Sequence, residues 1–92
     1  MIEKKVVEIE FCIKCNWLLR SAWIAQELIS TFGNNLKGVV LIPGKDGIFE
    51  IRVDNTVLWS LKEMEKFPDI KELKRCVRDF ILPGMNLGHL DK

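Results

Sequence analysis

Two cysteines two residues apart, at the seam between a strand pattern and a helix pattern, constrain this chain more than anything else in it. Val6 to Phe11 alternates, with Val7, Ile9 and Phe11 on one face and Val6, Glu8 and Glu10 on the other. That pattern belongs to a strand with one buried and one wet face. Cys12-Ile13-Lys14-Cys15 follows at once. From about Asn16 to Phe32 the apolar residues recur at helical spacing. Leu18, Ala22, Ala25, Ile29 and Phe32 form the stripe, and Leu19, Trp23, Ile24 and Leu28 widen it until the first half is apolar almost all round. Strand, Cys-x-x-Cys, helix is a setting in which two thiols do redox chemistry rather than structural work.

The remaining elements follow in order. Gly33 suits a left-handed residue closing the helix. Val39 to Ile42 is a short continuous apolar run, as in a buried parallel strand. Pro43 to Gly47 forms a loop, and Phe49 to Val53 alternates again. Asp54-Asn55 is a two-residue turn tolerant of positive φ, returning the chain as Thr56 to Ser60. Lys62 to Lys66 is a charged connection. Asp69, with Glu72 three residues on, has the form of a capping box. Ile70, Leu73, Val77, Phe80 and Ile81 then stripe a second helix to about Leu82, ended by Pro83-Gly84. The order is β-α-β-β-β-α, with a parallel first unit. Two helices cover one face of such a sheet, so the expectation is two layers with Glu8, Glu10, Glu50 and Arg52 on the open face.

With 92 residues the chain suits one domain over 1–92, with a core of about 4–84 and a polar tail at 85–92. A formal charge of +1 argues against a polycation for nucleic acid or membrane surfaces. Neither a signal-peptide apolar core nor a run of roughly 18 apolar residues is present. Three cysteines are too few, and odd in number, for a secreted disulfide scaffold. The expected setting is the cytoplasm. No Ser-His-Asp set, phosphate-binding glycine motif or paired-carboxylate site is visible.

At this point the chain resembles the selenoprotein W family of thioredoxin-like redox proteins, over roughly residues 4 to 84. The resemblance rests on Phe11-Cys12-x-x-Cys15 after the first strand, the long helix, and the terminal helix. Cys12-Ile13-Lys14-Cys15-Asn16-Trp17-Leu18-Leu19-Arg20 and Gly47-Ile48-Phe49-Glu50-Ile51-Arg52-Val53 are especially similar to bacterial members. It implies an α/β thioredoxin-like fold with sheet order 2-1-3-4 and both helices on one face. Cys15 stands where selenium-containing members carry selenocysteine, so this is a cysteine version. The family is linked to thiol redox reactions and glutathione. Unlike thioredoxin, the chain has no proline just before Phe49, since Pro43 comes several residues earlier.

A thiol attacks as thiolate, and a helix N-terminus or a nearby cation such as Lys14 favours that form. Two intervening residues let the sulfurs meet, so Cys12 and Cys15 are expected to pair on oxidation. Analogy with thioredoxin makes Cys12 the first attacker, as the more exposed member. Analogy with the selenoproteins makes it Cys15. The former is preferred and both are kept. The sheet order carries the loop before Phe49 across the end of the first strand, so Gly47, Ile48 and Phe49 are expected to line the rim. Lys14 and Trp17 complete the expected substrate-binding set, with Trp17 shielding the thiols or meeting a partner.

The plainer readings put Trp17, Trp23 and Trp59 in packing, Cys76 in the core, Arg20 and Arg52 in solvent or ion pairs, and His89 in solvent. Arg20 and Arg52 could instead meet an anion such as a glutathione carboxylate. Cys12, Cys15, Cys76 and His89 would be the ligands if the chain bound zinc, a minor alternative. The leading expectation is a thiol–disulfide redox protein that needs no metal or organic cofactor, with glutathione as co-substrate and protein thiols or disulfides as partners. The rival is an interaction module whose cysteines only sense oxidation. An apolar helix surface would favour a homodimer or a client protein.

Overall fold

A computed structural model describes residues 3–83. The expectations for Gly84, His89 and the tail at 85–92 lie outside the described residues. Strand β1 (Lys5–Cys12) is followed by helix α1 (Leu18–Phe32) and a turn of 3-10 helix at Gly33–Asn35. Strands β2 (Leu36–Gly44), β3 (Phe49–Val53) and β4 (Thr56–Ser60) come next, then a short helix α2 (Leu61–Met64) and helix α3 (Ile70–Ile81). The sheet order is β2-β1-β3-β4. β1 runs parallel to β2 and antiparallel to β3, and β4 is antiparallel to β3. This is the two-layer, thioredoxin-like α/β fold with a mixed four-stranded sheet.

Alternation decides the layers. Val7, Ile9 and Phe11 of β1 and Phe49, Ile51 and Val53 of β3 are buried in one core with Ile24, Leu28 and Phe32 of α1 and Leu73, Val77 and Ile81 of α3. The intervening residues Glu8, Glu10, Glu50 and Arg52 lie on the sheet's other face. There Arg52 bonds Glu50 at 2.9 Å, Glu10 at 3.0 Å and Glu8 at 3.4 Å. Partial burial works against the Arg52 charge, but hydrogen bonds to Glu10, Glu50 and Glu8 outweigh it and raise its pKa. The expected wet face is therefore ion-paired.

Several boundaries differ from the sequence reading. β2 runs through Pro43 to Gly44, because its pairing with β1 continues through Phe11–Pro43 to Cys12–Gly44. Proline is tolerated there because β2 is an edge strand. Gly33 is right-handed, at φ −50° and ψ −38°, and the chain passes into the 3-10 turn. The charged connection contains α2, whose first turn is capped by the Ser60 hydroxyl accepting from the Glu63 N–H. The Asp54-Asn55 turn has the expected positive φ values of 52° and 63°. Asp69 caps α3 by accepting from the Lys71 N–H at 3.0 Å, whereas Glu72 faces Lys66 at 3.8 Å.

The inward stripe of α1 is Ser21, Ile24, Ala25, Leu28 and Phe32. Leu18 and Ile29, expected in the stripe, are exposed, and so is Trp23. Trp59 is buried, with its indole N–H donating to the Lys66 carbonyl at 2.9 Å. Cys76 is only half-buried, since Leu73 and Val77 hold the inward positions of α3.

Candidate active site

β1 is a central strand that ends at Cys12, so the thiol pair sits at the sheet's C-terminal rim. The chain turns over residues 13–16, where the Asn16 N–H donates to the Ile13 carbonyl at 3.1 Å. Asn16 takes a left-handed φ of 61°, which asparagine tolerates better than most residues. The turn brings Cys15 back onto Cys12. The two are disulfide-bonded with their Cα atoms 5.4 Å apart, ordinary spacing for a disulfide.

Helix α1 begins only at Leu18, with Trp17 at its cap position and no side-chain cap. The sequence reading began the helix at Asn16, but its left-handed backbone excludes that. Both cysteines therefore precede the first helical turn. The burial of the pair also differs from the thioredoxin analogy. Cys12 is fully buried and Cys15 is half-buried, so Cys15 is the more accessible residue of the pair.

A second segment closes the site. The four residues Lys45–Ile48 connect β2 to β3, which flank β1, so they cross over the end of β1. Gly47 takes φ 80°, a value that favours glycine, and the Ile48 N–H donates to the Lys45 carbonyl at 3.2 Å. Lys14 of the cysteine turn lies 4.0 Å from Asp46 of this crossover, and both are well exposed. Gly44 shows how tightly the crossover is seated. A Cβ there would stand 2.6 Å from Glu10 Cγ and Oε2 and 2.7 Å from Ile48 Cγ2.

Beneath the turn lies an aromatic cluster. The Phe67 ring meets Trp17 edge-on at 5.0 Å and Phe49 at 5.0 Å, and the Arg20 guanidinium sits 4.0 Å from the Phe67 ring centroid. Such edge-on pairs are favourable beyond their burial alone. Of the expected rim residues, Gly47 is exposed and Ile48 half-buried. Phe49 is buried beneath the rim, because its place on β3 faces the helices. A cleft of about 450 Å³ opens beside the crossover, lined by Lys45 to Glu50 together with Ser60, Leu61 and Lys62.

Phe67, Gly44 and Glu10 were not singled out from sequence. Phe67 falls between the charged connection and the Asp69 cap, Gly44 in the expected loop, and Glu10 on the expected wet face. Pro68 after Phe67 was the available hint of an ordered segment there. Arg52 is occupied by three carboxylates and Arg20 by Phe67. The zinc alternative required His89, which is outside the described residues. Among the described residues no three His, Cys, Asp or Glu side chains group as metal ligands.

A mixed sheet of order β2-β1-β3-β4 with Cys-x-x-Cys closing at the end of its inner strand defines a thioredoxin-like domain with a disulfide-capable centre. Residues 6–79 match the Rdx family, and the chain belongs to it, among the selenoprotein W-related proteins. A crystal structure of a protein from Bordetella parapertussis is 45% identical, with a TM-score of 0.83, covering 85% of this chain and 99% of that one. The selenoprotein W-related protein from Vibrio cholerae is 44% identical, with a TM-score of 0.83, covering 86% of this chain and 99% of that one. A comparison with curated proteins gives no match. Membership of this family supports a redox-related role. No helix among the described residues is long and apolar enough to cross a membrane.

Proposed function

We propose that the protein is a cytoplasmic thiol–disulfide exchange protein in which Cys15 attacks and Cys12 resolves. The observation that carries this is the asymmetry of the pair: Cys15 is partly exposed, whereas its disulfide partner Cys12 is fully buried. The Cys15 thiolate attacks a disulfide R–S–S–R′ and forms Cys15–S–S–R, expelling R′–S⁻. Cys12 then attacks the Cys15 sulfur, closing the internal disulfide and releasing R–S⁻. Glutathione restores the dithiol by the reverse chemistry. No metal or organic cofactor takes part. Substrate lies along Gly47 and Ile48 beside the cleft, with Lys14 and Trp17 flanking the sulfurs.

Trapping tests the order of attack. Cys12→Ser, treated with glutathione disulfide, accumulates a mixed disulfide at Cys15, whereas Cys15→Ser remains unmodified at Cys12. Capture at Cys12 in the Cys15→Ser protein would reverse the assignment. A second reading, a redox-sensing interaction module without turnover, draws on the exposed Ile13, Leu19 and Trp23 near the pair. It requires the Cys12→Ser/Cys15→Ser protein to bind a client as the parent does while model disulfides go unreduced.

A further inference from the structure

We propose that Glu10 carries the proton to and from the buried thiol of Cys12, an inference that rests on the exchange reading above. The reading leaves one requirement unmet. Cys12 must lose its proton before it can attack Cys15, and must regain it when the disulfide is reduced. Cys12 is sealed from solvent, so bulk water is a poor acceptor for the proton.

Glu10 is placed to serve. It lies two residues before Cys12, so alternation puts both on one face of β1, about 7 Å apart along the strand. Across the parallel ladder Glu10 faces Ile42, and Cys12 faces Gly44. The Glu10 side chain does not stay beside Ile42. It reaches forward until its Cγ and Oε2 lie 2.6 Å from the position of a Gly44 Cβ. That brings Oε2 to the row of Cys12, one strand spacing of about 4.8 Å to the side. The missing side chain of Gly44 makes the room, and Ile48 Cγ2 closes over the same point at 2.7 Å. The other oxygen, Oε1, is held by Arg52 at 3.0 Å. One oxygen anchors the carboxylate while its twin reaches the row where Gly44 pairs with Cys12.

The surrounding charges are few. β3 contributes Glu50 and Arg52, and β1 contributes Glu8. β2 offers only Ile42 and Gly44. Lys45 and Asp46 lie on the crossover and Lys14 on the cysteine turn, with Lys14 facing Asp46; Arg20 rests on Phe67. In the resolving step the Cys12 S–H proton passes to the Glu10 carboxylate. The Cys12 sulfur then bonds to Cys15 Sγ as the Cys15–S–R bond breaks. The departing R–S⁻ takes the proton from the Glu10 carboxyl. Reduction runs the same transfers backwards.

Dipyridyl disulfide separates the two steps, in a Cys76→Ser background that removes the third thiol. The reduced protein releases one pyridinethione when Cys15 attacks and a second when Cys12 resolves. Glu10→Gln is expected to slow the second release about tenfold or more at neutral pH, within the usual scale of general acid–base catalysis. The first release stays within twofold of the parent. The deficit narrows at alkaline pH, where the rising hydroxide concentration competes with the missing carboxylate for the proton. Glu8→Gln, which takes a carboxylate from the same arginine, leaves the second release within twofold. Parental rates for both releases in Glu10→Gln would overturn the proposal. So would an equal slowing in Glu8→Gln, or a deficit constant across pH. Absence of the first release in the parent would instead sink the exchange reading, and the inference with it.

Discussion

Gly44→Ala tests the seating of the crossover directly. The new methyl would stand 2.6 Å from Glu10 Cγ and Oε2 and 2.7 Å from Ile48 Cγ2. Comfortable carbon contacts begin near 3.5 Å, so both neighbours must retreat by about 1 Å. Glu10 does so by swinging its carboxylate away, which strains its bond to Arg52, and Ile48 by turning its side chain or lifting the crossover. Overfilling of this kind costs about 1–3 kcal/mol. Removing a glycine's freedom from the unfolded chain offsets about 0.4–1 kcal/mol. The net loss is about 1–2 kcal/mol. At roughly 4–8 °C per kcal/mol for a chain of this size, Tm of the oxidised protein falls by about 5–15 °C. Thermal unfolding followed by circular dichroism measures it. Ile48→Ala removes one of the two obstacles, so the double variant should be more stable than the two single losses predict, by about 1 kcal/mol. A Gly44→Ala protein as stable as the parent, or strictly additive losses, would refute the close packing of Glu10 and Ile48 over Gly44.

Three further outcomes are expected. Phe67→Ala removes the ring shared by Trp17, Phe49 and Arg20. Because Phe67 is half-buried, the loss is about 2 kcal/mol, below the range for a sealed phenylalanine, and denaturant titration reads it. Arg52→Gln leaves Glu8, Glu10 and Glu50 facing one another without their cation. Since these groups are partly exposed, the destabilisation is about 1 kcal/mol at low salt. Screening by about 1 M salt should shrink it, and melts at two ionic strengths decide. Burial, then Glu72 and Asp79, push the Cys76 thiol up against the opposing Arg75. Its alkylation in a Cys12→Ser/Cys15→Ser background should therefore need more alkaline pH than free cysteine. The native state holds this proton more tightly than the unfolded chain, so its contribution to stability falls as pH climbs above about 8.5. An alkylation profile matching free cysteine would contradict the burial of Cys76.

The layers of the fold were legible in sequence because two strands alternate cleanly and a half-buried sheet demands it. Val7, Ile9 and Phe11, and Phe49, Ile51 and Val53, lie inward as their spacing required. The inward face of α1 was harder to read. Leu18, Leu19, Ala22, Trp23, Ile24, Ala25, Leu28 and Ile29 are apolar nearly all round, so periodicity could not choose among faces. The structure turns the small Ser21 inward and leaves Leu19 84% exposed. The length of β2 escaped for a different reason. Pro43-Gly44 has the chemistry of a turn, and only the neighbouring strand, continuing to Cys12, keeps those residues in the ladder.

The thiol pair itself was plain from its spacing and setting, but the order of its burial was not. Parity along β1 places Cys12 with Glu8 and Glu10 on the open face, where a sequence reading expects solvent. What seals it comes largely from outside β1. Lys45–Ile48 must pass over the end of β1, because its ladder partners β2 and β3 stand on either side of that strand. Gly44 is small enough for Ile48 and Glu10 to close in, and the cysteine turn returns Cys15 to the outside. Each part is visible as a residue type in the sequence. Their convergence beside Cys12, at its ladder partner Gly44, follows only from the strand order. If that order sets the burial, lengthening the crossover by two glycines between Asp46 and Gly47 should expose Cys12 without breaking the disulfide. Alkylation of Cys12 in a reduced Cys15→Ser protein should then quicken at least several-fold, while an unchanged rate would place the seal elsewhere.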